Sequence, residues 1–129
     1  MEDEAWLNVG VAALLARQYA EHQRDFLDSL AHMLERALPE HIHVTRRRSL
    51  FAKEQPVQEL RLELGDARYT LESPKQGAPV ARRALVKRGI VLRTEELPMP
   101  EWIEEVGIAL EEYAQRNQQA ATALRRFVE

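Results

Sequence analysis

The sequence predicts an α+β domain built from a long N-terminal helix, a three- to four-stranded antiparallel sheet and a long C-terminal helix. Three observations predict it. Apolar residues recur at three- and four-residue steps between Glu4 and Leu38, and again from Pro100 onward, as in a helical stripe. Between these segments the pattern changes to alternation, the period of a half-buried strand. A Gly65-Asp66 pair stands between two alternating runs, a signature of a tight hairpin.

The first helix is expected to run unbroken through the stripe Leu7, Val11, Leu14, Leu15, Tyr19, Phe26, Leu30, Met33, Leu34 and Ala37. Gly10 is its weakest point. Pro39 ends it, because proline lacks the amide hydrogen and disfavours helix at Leu38 before it. The first strand alternates Ile42 and Val44 with His41, His43 and Thr45. In "LRLELGDARYTLE" a two-residue type II′ turn pairs Leu64 with Ala67, Leu62 with Tyr69 and Leu60 with Leu71. The opposite face then sets Glu63 beside Arg68. "SPKQGAP" reads as a loop, and a further strand falls at Gly89 to Glu95, starting as early as Ala84. The second helix starts at Pro100, whose fixed φ suits a first helical position, with Glu101 and Glu104 at the positive end of the helix dipole.

Within that helix, Ile103, Val106, Leu110, Tyr113, Asn117, Ala120, Leu124 and Phe127 are spaced as a heptad seam. Asn117 takes a core position of the seam, where a polar residue fixes register and partner number. Small flanking residues, Ala109, Ala114, Ala121 and Ala123, permit a close helix partner. Helices of about 50 and 43 Å outreach strands of about 17–27 Å. The seam is therefore expected to pack on the first helix, on a second copy, or on both in a four-helix dimer.

Composition limits the function classes. At 129 residues, 45% apolar and 30% charged, residues 1–129 make a single globular domain. The absence of cysteine excludes disulfides, cysteine metal sites and thiol nucleophiles. The acidic start "MEDEAWLNVG" differs from a signal peptide, and "VGVAALLA" is too short to span a membrane. A cytoplasmic protein without membrane contact is the expectation.

The net charge of −3 conceals a basic middle. Residues 41–98 hold twelve Lys/Arg against seven Asp/Glu, whereas residues 1–40 hold three against eight and residues 99–129 three against six. The cations Arg46, Arg47, Arg48, Arg82, Arg83, Lys87 and Arg88, joined by Arg93, form a candidate anion-binding set for nucleic-acid phosphates. Complementation of the acidic flanks accounts for the same charges. Aromatic support for base stacking is thin, since only Phe51 and Tyr69 fall in the basic segment. His41 and His43 share one strand face but lack named third and fourth ligands, so no metal or cofactor is expected. His22 reads as an interior or interface histidine. Ser29, Ser49 and Ser73 lie in no nucleophile elbow and the scattered glycines make no phosphate loop, so no catalytic residue is assigned and an enzyme is not expected.

Residues 89–128, "GIVLRTEELPMPEWIEEVGIALEEYAQRNQQAATALRRFV", resemble the end of the dimeric α/β chaperones of bacterial type III secretion in their strand, proline-containing turn and acidic helix. The order of elements is also similar to that of the tweezers-shaped nucleoid-associated proteins. Both likenesses imply a dimer, the first with a protein partner and the second with DNA. The expected function is a non-enzymatic, dimeric protein-interaction module, adaptor or chaperone-like, acting through its amphipathic helices. The alternative is a nucleic-acid-binding dimer using the arginines of residues 46–93.

Overall fold

A computed structural model describes residues 10–47, 56–74 and 76–128. It shows an α+β fold in which N- and C-terminal helices flank an antiparallel sheet. The elements are α1 (Val11–Glu21), α2 (Phe26–Ala37), β1 (Ile42–Arg46), β2 (Val57–Leu64), β3 (Ala67–Glu72), β4 (Val80–Lys87), β5 (Ile90–Leu97), α3 (Met99–Arg116) and α4 (Gln118–Val128). The strands form a meander in the order β1-β2-β3-β4-β5, with β1 and β5 at the sheet edges among the described residues.

The expected continuous first helix is two helices. Its described part starts after Gly10, at φ 96°, and breaks across His22–Asp25. Four consecutive polar residues, His22, Gln23, Arg24 and Asp25, interrupt the apolar stripe there. Tyr19 and Phe26 bracket the break edge to face at 5.2 Å. The turn lets α1 lie on α3 while α2 lies on α4 and on strands β1 and β2. Pro39 does close α2, with the Leu38 amide donating to the Leu34 carbonyl at 2.8 Å. His22 corrects the interior expectation: it sits exposed at the end of α1, beside Glu21.

The C-terminal helix is also interrupted, at Asn117, whose backbone is extended at φ −139° and ψ 112°. The Asn117 side-chain oxygen accepts the Ala120 amide at 2.9 Å, the bond an N-cap residue makes to the third residue of its helix. Asn117 is therefore the cap that starts α4, not a polar position within one long seam. Its replacement by leucine removes the cap, and a loss of about 1 kcal/mol of stability is expected by chemical denaturation. A seam position would give the opposite sign.

The hairpin β2–β3 has the expected register, with Leu64 opposite Ala67, Leu62 opposite Tyr69, Leu60 opposite Leu71 and Glu63 opposite Arg68. Gly65 carries φ 60° and Asp66 does not take positive φ, which is the type II′ pattern. The single further strand expected after the loop is instead the hairpin β4–β5. Arg88 and Gly89, at φ 53° and 78°, make its two-residue turn, with both central residues left-handed as type I′ requires.

Pairing across the sheet sorts its faces. Leu60, Leu62, Tyr69, Leu71, Ala81 and Leu97 fall on the inner face, where they are buried beneath the helices. The outer face carries Glu59, Arg61, Glu63, Arg68, Glu72, Arg82 and Glu96. From the helical layer the core receives Val11, Leu15, Leu30, Leu34, Trp102, Val106, Leu110 and Leu124, each at most 1% exposed. Helices α1 and α3 approach closely at Gly107, where an added Cβ would lie 2.3 Å from the Ala12 Cα. Glycine is required there by the neighbouring backbone.

Candidate functional site

The seam residues lie inside the chain. Ile103, Val106, Leu110, Ala120 and Leu124 are buried, as is the flanking Ala114, while Tyr113, Asn117 and Phe127 are partly covered. These side chains pack on the chain's own α1, α2 and sheet. The long helices thus leave little of this seam uncovered, because the breaks at His22–Asp25 and Asn117 fold both halves back onto one core.

The arginines of the basic segment mostly meet carboxylates. Arg46 on β1 donates to Glu35 of α2 at 2.7 Å, a charge-assisted pair that raises the Arg46 pKa. Arg82 reaches Glu72 at 3.2 Å across the outer face. Arg83 points the other way, because its register partner is inward-facing Tyr69. It bridges Glu95 of β5 at 2.7 Å and Glu105 of α3 at 2.5 Å, and the Glu105 hydrogen bond raises its pKa. The Tyr69 phenol beside this group is pushed up, chiefly by burial and then by the Glu105 charge.

The other members of the set are dispersed. Arg47 donates to the Ser73 carbonyl, and Arg93 pairs with Glu95. Lys87 stands 3.9 Å from Asp66, and Arg88 is exposed at the β4–β5 turn. Arg48 lies outside the described residues. The set is therefore divided between two sheet faces, two edges and a turn. On the outer face Arg61, Arg68 and Arg82 are interleaved with Glu59, Glu63, Glu72 and Glu96, so no cationic sheet face forms among the described residues.

His41 and His43 are not assembled into a ligand group. The Nδ1 of His41 lies 3.1 Å from the Glu63 carbonyl and its ring rests on Tyr113, while His43 is exposed. Among the described residues no three His, Cys, Asp or Glu side chains are placed to hold a metal. No helix among them is long and apolar enough to cross a membrane.

The surface feature that stands out is the β4–β5 hairpin. Among the described residues, five large apolar side chains are exposed, and four of them lie on this hairpin: Leu85 at 42%, Ile90 at 62%, Val91 at 46% and Leu92 at 57%. Leu85 falls in the inner-face row of Leu64 and Ala67, toward the turn end of the hairpin. The pairing slips between Leu85 and Val86, where Leu92 forms a bulge opposite no partner residue. Among the described residues strand β5 has no neighbour on its far side, so its outward amides and carbonyls have no sheet partner there. An apolar hairpin thus adjoins an open strand edge. The signal was present in the sequence as Ile90-Val91-Leu92, three consecutive apolar residues in a strand whose exposed face would otherwise be polar.

No family model, curated protein or solved structure matches the chain. The likenesses to secretion chaperones and nucleoid-associated proteins remain likenesses of pattern and order.

Proposed function

We propose that the chain is a non-enzymatic, dimeric protein-interaction module that associates through the β4–β5 hairpin and the open edge of β5. The observation that carries this reading is the concentration of Leu85, Ile90, Val91 and Leu92, all exposed, beside a strand edge that has no sheet partner among the described residues. Covering such side chains removes apolar surface from water, at roughly 25 cal/mol per Å². Edge pairing adds backbone hydrogen bonds, which fix the register of the two strands. A second copy is the partner, because an edge that meets its own copy antiparallel about a two-fold axis closes the surface on itself. Adaptor or chaperone-like work would then belong to the dimer, with the binding surface on the hairpin and not on the helix seam. The pairing of Arg46, Arg82, Arg83 and Arg93 with carboxylates counts against the nucleic-acid reading.

The test is the solution mass of the chain and of the double variant Ile90→Glu, Leu92→Glu. The wild type should sediment at twice the 14.9 kDa of one chain. The variant should sediment as a monomer with little change in melting temperature, since both side chains are more than half exposed. A monomeric wild type, or a variant that stays dimeric, contradicts the proposal.

A further inference from the structure

The helical layer carries a concave site, different in kind from the exposed hairpin. A groove of about 530 Å³ runs between α2 and α4. That volume is within the range of sites that take small organic ligands. Met33, Ala123 and Phe127 supply apolar lining, and no Asp or Glu lines it. Its cations are Arg36 and Arg126.

These two arginines differ from those of the sheet. Arg46, Arg61, Arg68, Arg82, Arg83 and Arg93 each meet a carboxylate, whereas Arg36 and Arg126 meet none among the described residues. They also stand toward opposite ends of the groove. The Gln119 side chain, at the start of α4, donates to the Arg36 carbonyl at 2.8 Å, which places Arg36 beside the start of α4. Arg126 lies seven residues further along α4 and borders the adjoining hollow with Phe26 and Ser29, at the start of α2. Seven helical residues span roughly 10 Å, and both guanidinium groups sit on flexible stems. Asp25 in that hollow bounds the cationic region on one side.

We infer that this groove binds an elongated organic dianion, a dicarboxylate with an apolar chain between its charged ends. The chain lies on Met33, Ala123 and Phe127, and each carboxylate accepts hydrogen bonds from one guanidinium. Arginine suits this role because its planar donors match a carboxylate in pairs. The two guanidinium groups are open to an anion from solution, whereas on the sheet Arg46, Arg61, Arg68, Arg82, Arg83 and Arg93 are occupied by the protein's own glutamates.

Titration calorimetry with dodecanedioate at low ionic strength tests the inference. Binding is expected for the wild type, with affinity about tenfold weaker in Arg36→Gln and in Arg126→Gln, from the loss of one charge-assisted contact. Decanoate, with one carboxylate, should bind about as weakly as those variants, and dodecanediol should not bind detectably. Both arginines are exposed, so the variants should keep the wild-type melting temperature. Absence of dodecanedioate binding at millimolar concentration overturns the inference. So does unchanged affinity in both variants, or equal affinity for the uncharged diol. The Ile90→Glu, Leu92→Glu variant should bind dodecanedioate as the wild type does, so failure of the hairpin proposal and failure of this one are distinguishable.

Discussion

Leu110→Asp is expected to abolish cooperative folding. Leu110 is fully buried in α3, within the core shared by the helices and the sheet. Removing its side chain alone costs about 2–5 kcal/mol. A carboxylate in its place must lose its hydration or take up a proton, and either adds several kcal/mol. Domains of this size are stable by only about 5–15 kcal/mol, so the combined cost approaches or exceeds the total. Circular dichroism should show no sigmoidal melt, whereas Leu110→Met, which keeps the volume, should lose less than about 1.5 kcal/mol. A folded Leu110→Asp monomer would mean that Leu110 faces another subunit and not its own chain.

Trp102→Ala should be nearly as damaging. Trp102 is 1% exposed near the start of α3, and its ring nitrogen donates to the Arg82 carbonyl at 3.2 Å. The residue therefore joins α3 to β4 by both area and a hydrogen bond. Truncation to alanine costs about 3–5 kcal/mol in such a setting and leaves the carbonyl without that donor. The melting temperature should fall by roughly 10–20 °C. Trp102→Phe keeps most of the apolar contact, so its loss should be clearly smaller. Equal losses for the two variants would place the stabilisation in the hydrogen bond and not in the packing.

How much of this fold the sequence disclosed depended on the local chemistry of its turns. The β2–β3 hairpin was legible because glycine at the first turn position suits type II′, and the cross-strand pairs on its inner face are all apolar. The β4–β5 hairpin reads as one strand in sequence because its turn places Arg88 at positive φ, a position that sequence patterns assign to Asn, Asp or Gly. Once that turn is known, the inward direction of Arg83 follows from its pairing with Tyr69, and the basic segment no longer reads as one cationic face. The helix breaks had weaker marks. Asn117 fits both a polar seam position and an N-cap, and only the bond to the Ala120 amide distinguishes them. The close approach of Ala12 to Gly107 has only a weak mark in sequence, a lone glycine in a helix, which costs about 1 kcal/mol against alanine and names no neighbour.

The apolar stripe of Ile103, Val106, Leu110, Leu124 and Phe127 marks helix positions, but a heptad stripe carries no record of whether the facing helix belongs to the same chain. The exposed hairpin carries the association proposal instead. Its most direct test is amide hydrogen exchange across β5, Ile90–Leu97, measured at low and high protein concentration. Pairing of β5 edges predicts that exchange of the outward β5 amides slows as concentration rises, while buried β2 and β3 amides keep their rates. Concentration-independent exchange along β5 would contradict association through that edge.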